Sequence, residues 1–236
     1  MKYYLYLILF LFSFVLCSCK PEEEVEMDKG KSALDKGKDK EAAKHFKKVI
    51  ELNPKNAEAY YYLGDTYDLD NKERIANYQK AININPNFAG PYYRLGFYYG
   101  LWKNDTDLGI EYYKKGMSID TRWTKIYYHL GLLYKAKGDN EKAIENFKAE
   151  ISRDKNDYDS YAKLAEVYLN LKMVDEAIEV LNTLLSMQPN YENAHYLLGL
   201  AYIPKDKNKA IENLKIAANL GNAEAKEWLK LYGIKH

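Results

Sequence analysis

A pattern of about 34 residues repeats down almost the whole of this chain, and no other feature constrains its fold as tightly. An aromatic ring, then Leu, then a small residue recur as Tyr60-x-x-Leu63-Gly64, Tyr92-x-x-Leu95-Gly96, Tyr127-x-x-Leu130-Gly131 and His195-x-x-Leu198-Gly199. Tyr161-x-x-Leu164-Ala165 is the same signal with Ala for Gly, and Tyr67, Tyr99, Tyr134, Tyr168 and Tyr202 each follow three residues later. The small positions Gly30, Gly64, Gly96, Gly131, Ala165 and Gly199 lie 34, 32, 35, 34 and 34 residues apart. A second beat runs through Ala42, Arg74, Gly109, Ala143, Ala177 and Ala210. Four residues after these stand Phe46, Tyr78, Tyr113, Phe147, Leu181 and Leu214. Pro54, Pro86 and Pro189 close three of the units.

Apolar residues three and four apart put a stripe on one face of each of two helices per unit. Gly or Ala lets the pair approach closely, and the large residue fills the space between them. Turns such as Lys36-Gly37-Lys38 and Lys137-Gly138-Asp139 supply the reversal, and the closing Pro cannot continue the second helix. One such hairpin buries too few side chains to offset the entropy of ordering itself, so the units must stack.

Period and pattern together resemble the tetratricopeptide repeat, in six copies over residues 23–222. The resemblance implies an all-α fold: a right-handed α-solenoid of about six helix-turn-helix units in 28–222, the first degenerate. A capping helix in 223–236 completes it. Glu26 and Lys29 stand in the first helix (25–36) where the family has large apolar residues, as in a polar terminal repeat or a frayed one. At the other end Asn222 can cap a helix over 223–232 with Gly233 as its stop, and Ala225, Trp228, Leu229 and Tyr232 share its inner face. The second unit is two residues short and puts Arg74 at a small position; the third carries an extra residue within 104–108.

The first residues are read apart from the fold. Lys2 and the apolar run 3–16 suit a signal peptide better than a spanning helix, which needs roughly 20 apolar residues. Leu16-Cys17-Ser18-Cys19 resembles the lipobox of bacterial lipoproteins, with Cys17 where a smaller residue is usual. That resemblance implies a signal peptide in 1–18 and lipid on Cys19. It further implies a tether over 19–27 and a membrane-anchored place in a bacterial cell envelope, facing the periplasm or cell surface. The alternatives are a plain signal peptide or an uncleaved anchor. The mature chain would then hold no other Cys, which removes disulfides and thiolate metal sites.

In the tetratricopeptide family the first helix of each unit lines a concave face. The resemblance therefore implies a peptide-binding groove containing Tyr61, Asp65, Tyr93, Arg94, Phe97, Tyr128, His129, Lys163 and Tyr196. Tyr is suited to interfaces, but in the family it is also frequent at this position for helix packing. For any single Tyr both readings stay open, and the run Tyr93, Phe97, Tyr128 on the middle repeats favours binding. The Lys and Asn of the family's dicarboxylate clamp are replaced by Tyr, Phe and Asp, which argues against a chaperone C-terminus as ligand. There is no phosphate-cradling loop, no paired His at metal spacing and no nucleophile with a partner, so neither catalysis, a metal nor a cofactor is expected. Thirty-five Lys and Arg against 34 Asp and Glu leave no field to attract nucleic acid. The expected function is a non-catalytic scaffold binding a protein or peptide, with no small-molecule substrate. Narrower forms are an assembly helper, like the six-repeat lipoproteins that pilot secretin pores in type IV pilus systems, and an adaptor of cell-wall enzymes. A second class is an enzyme or a specificity subunit of one, such as a cell-wall hydrolase, for which the sequence offers no site, and a third is an envelope protein that self-associates through its repeats.

Overall fold

A computed structural model of the chain describes residues 20–234 except Thr124. Among the described residues there are thirteen α-helices and no strand. Six hairpins follow one another: α1 (Glu22–Asp35) with α2 (Asp39–Leu52), α3 (Ala57–Asp65) with α4 (Lys72–Ile84), and α5 (Ala89–Phe97) with α6 (Thr106–Ile119). Then come α7 (Ile126–Lys137) with α8 (Asn140–Arg153), α9 (Tyr158–Asn170) with α10 (Val174–Met187), and α11 (Glu192–Tyr202) with α12 (Lys207–Leu220). The last helix is α13 (Ala223–Leu231). The chain divides into two compact units, residues 20–98 with Lys115–Asp120, and Tyr99–Lys114 with residues 121–234.

The repeat's large residues are the core. Phe46, Tyr78, Tyr113, Phe147, Leu181 and Leu214 are each at most 2% exposed, one per hairpin. Burying each contributes about 1.5–3 kcal/mol. The small residue opposite is a steric requirement: a Cβ on Gly64 would stand 2.6 Å from Tyr78, and one on Gly131 2.6 Å from Phe147.

In the first unit, α1 starts earlier than expected. The stretch 19–27, read as a tether, is helical from Glu22. Pro21 leads in, three Glu in the first turn complement the helix dipole, and Glu23 accepts hydrogen bonds from Asn53 Nδ2 (2.9 Å) and Asn56 Nδ2 (2.7 Å). Glu26 is held as well, by Lys29 and by His45 Nδ1 at 2.6 Å, while Met27, Gly30 and Ala33 are buried. The short second hairpin uses Arg74 as a strut: its Nη1 donates to Tyr67 O (2.6 Å) and its guanidinium lies over the Tyr78 ring.

In the second unit, the extra residue of the third hairpin is not absorbed by the expected loop 104–108 alone. Residues Tyr98–Trp102 form a π-helical turn that widens the end of the first helix by one residue. Gly100 faces Leu133 there and comes close to the Gly109 backbone. At the C-terminus Asn222 caps α13 by accepting from Ala225 N (2.8 Å), as expected. Ala225 and Leu229 are buried, but Tyr232 lies beyond the helix and is 61% exposed, stacked on Trp228 at 4.2 Å.

Candidate functional site

The residues expected to line a groove sit on the first helices of the hairpins, and they divide into buried and accessible groups. Cys19 lies outside the described residues.

In the first unit Tyr61 and Tyr93 are buried, 6% and 4% exposed, which corrects their assignment to a binding face. The Tyr61 ring meets Tyr62 and Phe88 edge-on, both at 5.1 Å, and Gly90 leaves room beside it. Burial, with the Asp65 carboxylate nearby, pushes its hydroxyl up to about 12. Tyr93 packs on Gly116 and its hydroxyl donates to the Asp120 carbonyl. Both rings reach inward because a glycine on the helix they face has no side chain to stop them.

Asp65 and Arg94 are paired with each other. Arg94 Nη2 donates to Asp65 Oδ2 (2.9 Å), and Tyr78 OH donates to Asp65 Oδ1 (2.6 Å). Arg94 also lies over the Tyr61 ring, 5.8 Å from its centre. Burial and then Asp65 raise the Tyr78 pKa. This cluster ties α3, α4 and the last turn of α5 together and leaves Phe97, 37% exposed, as the accessible aromatic of the set in this unit.

In the second unit Tyr128 and Tyr196 are half-buried. Lys125 Nζ stands over the Tyr128 ring at 5.4 Å and pairs with Asp157 (3.3 Å) and Asp159 (3.2 Å). Asp159 Oδ1 accepts from Tyr191 OH at 2.9 Å. Lys163 and Lys135 both bind Glu166. Burial alone would raise Glu166, but the two ammonium groups hold it below the ordinary carboxylate range. The expected groove cation Lys163 is therefore balanced within the protein. His129 is also a correction: it stacks on Tyr113 (5.8 Å, 12°), and burial followed by the Lys125 charge pushes it down to about 4. It is a neutral packing residue at pH 7.

Sequence reasoning missed Glu150, which is 3% exposed. Its Oε2 accepts from Tyr127 N (3.1 Å) and Tyr128 N (3.3 Å), so a side chain of α8 caps the start of α7. Helix α7 needs this because Lys125 before it is left-handed (φ 58°) and offers no side-chain cap. The signal was readable: the other hairpins carry Val49, Ala81, Gly116, Leu184 and Ala217 at that register.

Among the described residues no group of three or more His, Cys, Asp and Glu is placed to hold a metal ion, and no helix is long and apolar enough to cross a membrane.

Fold and site define a class, an all-α protein of successive helical hairpins whose repeated register is spent on packing. Comparison with known proteins names the family. The family profile "TPR repeat" matches residues 30–68, and "Tetratricopeptide repeat" matches 134–201. Over 82 residues, 35% of the chain, it is 36% identical to the tetratricopeptide repeat and J domain-containing co-chaperone DNJ1 of Fusarium oxysporum f. sp. lycopersici, and this match spans 15% of that protein. Among solved structures it resembles Pseudomonas aeruginosa PilF (TM-score 0.73, 16% identity, 89% of this chain and 97% of that one). It resembles PilW, described as a widely conserved type IV pilus biogenesis factor, with TM-score 0.71, 14% identity and coverage of 89% and 99%. YrrB, a TPR protein with an unusual peptide-binding site, matches at TM-score 0.69 and 22% identity over 80% and 99%. These two segments of the chain match tetratricopeptide repeats, its fold is that of tetratricopeptide-repeat solenoids, and such repeats serve as scaffolds for protein or peptide partners.

Proposed function

We propose that this protein is a non-catalytic adaptor, held in a bacterial cell envelope by lipid on Cys19, that presents the first helices of its hairpins to a protein or peptide segment. The observation that carries the binding reading is the accessible remainder of the expected set. Phe97 is exposed and Tyr128 and Tyr196 are half-exposed on first helices, while Asp65, Arg94 and Lys163 already have charge partners. Within each unit these positions offer aromatic contact area with little net charge, which suits an apolar or amphipathic segment more than a charged tail. The anchoring reading rests on Leu16-Cys17-Ser18-Cys19 alone.

A narrower form of the proposal is an assembly helper for an envelope machine such as a pilus. Its support is length and layout: the fold likeness covers 97% of PilF and 99% of PilW. Mass spectrometry of the mature protein tests the anchor, with an acylated N-terminal Cys19 expected; an intact Met1 or a start beyond Cys19 contradicts it. Affinity capture from native envelopes tests the binding face. A Phe97→Ala/Tyr128→Ala variant with unchanged circular dichroism should lose partners that the parent retains. Identical partners for both would exclude these positions as the contact.

A further inference from the structure

Between positions 36 and 55 the chain carries seven lysines against three acids. Helix α2 concentrates them on its outer face. Lys40, Lys44 and Lys47, spaced four and three apart, are exposed opposite the buried Ala42, Phe46 and Val49. Lys38 pairs with Glu41 (3.2 Å) and Lys48 with Glu51 (3.7 Å). Lys40, Lys44 and Lys47 enter no ion pair among the described residues. Seven residues of helix rise about 10 Å, so three ammonium groups crowd within roughly one Debye length of each other.

Lysines on an outer helix face are ordinarily just solvated. What sets this face apart is where the chain enters the fold. The start of α1 is fixed beside the end of α2 by Glu23, which accepts from Asn53 and Asn56, and Lys20 is already bound to Asp28 at 2.7 Å. Cys19 precedes α1 by three residues, at most about 11 Å of extended chain. Three of the six acids of α1 are engaged within the protein: Glu23 by the two Asn side chains, Glu26 by Lys29 and His45, Asp28 by Lys20.

We infer that the outer face of α2 is a membrane-docking surface, with Lys40, Lys44 and Lys47 seated among anionic phospholipid headgroups beside the anchor. The inference rests on the proposed acylation of Cys19, which holds α2 at a high effective concentration beside the bilayer. Anionic headgroups then supply the counter-charges with which Lys40, Lys44 and Lys47 are not paired among the described residues, and each lysine gains roughly fivefold in local occupancy of the surface. Lipid and basic face act as two linked signals, the combination that makes peripheral attachment stable.

The test uses the acylated full-length mature protein inserted into preformed vesicles, of phosphatidylcholine alone or containing phosphatidylglycerol. An amine-reactive reagent labels exposed lysines, and peptide mass spectrometry reads each site. Lys40, Lys44 and Lys47 should label about fivefold more slowly on the phosphatidylglycerol vesicles. The protection should vanish at about 0.5 M salt, while Lys207 and Lys226 label alike throughout. Equal labelling of the three lysines on both vesicles, with Cys19 seen to be acylated, overturns the docking surface and leaves the anchor standing. Cys19 found without acyl chains overturns both.

Discussion

Glu150 occupies a register that is apolar in every other hairpin, and it is buried there as an acceptor for two backbone amides of α7. Restoring the apolar pattern should therefore harm the protein. Glu150→Leu suits the packing but strands the amides of Tyr127 and Tyr128, which costs about 2 kcal/mol. Urea denaturation should show the loss, and a neutral or stabilising Glu150→Leu would contradict the capping role. His129 gives a second test, through pH. Its folded pKa, about 4, lies below the ordinary value near 6.5, so between these values the unfolded chain binds a proton that the folded one refuses. Stability is then full above pH 6.5 and falls as pH drops towards 4. Between pH 7 and pH 5 the loss from this residue is about 2 kcal/mol. His129→Phe should remove that component, and unfolding midpoints at the two pH values measure it. An unchanged difference in the variant would mean that other groups carry the pH dependence.

At the scale of elements, the repeat register foretold all six hairpins and the Asn222 cap, because aromatic, small and large positions recur together. It failed where residue count leaves a choice. Thirteen residues separate Gly96 from Gly109, one more than in the first, fourth and fifth hairpins, and the count alone does not say whether a loop or a helix absorbs the excess. The π-helical turn Tyr98–Trp102 does so, with Asp105 N bonding back to Tyr99 O at 2.8 Å and Gly100 against Leu133 and Gly109. A Cβ at position 100 would stand 2.8 Å from Leu133 Cδ1 and 3.2 Å from Gly109 Cα. The second of these is backbone and cannot rotate away. Gly100→Val should cost about 1–3 kcal/mol and lower the melting temperature. Unchanged melting would show that the turn can relax to a regular helix. The start of α1 was missed for a similar reason. Glu22 to Glu24 look like a solvated tether until Asn53 and Asn56, thirty residues on, give Glu23 something to hold.

For the molecule as a whole, the family register indicates which helix carries a residue but not how deep its side chain lies. Tyr61 and Tyr93 were legible as first-helix aromatics, and their burial depends on Gly90 and Gly116 in other helices. Arg94 and Asp65 likewise read as groove charges until their mutual bond is seen. What remains accessible, Phe97, Tyr128 and Tyr196, is the basis of the adaptor proposal, so the most direct measurement probes those positions in place. A photo-reactive phenylalanine analogue would replace Phe97, Tyr128 or Tyr196 in turn, with matched controls replacing the exposed outer-helix residues Glu145 and Glu179. Irradiated cells would be analysed for crosslinked protein. The account predicts a discrete partner captured from one or more of the first-helix positions and from neither control. Crosslinks confined to positions 145 and 179 would contradict it, and so would the same partner captured equally from both sets.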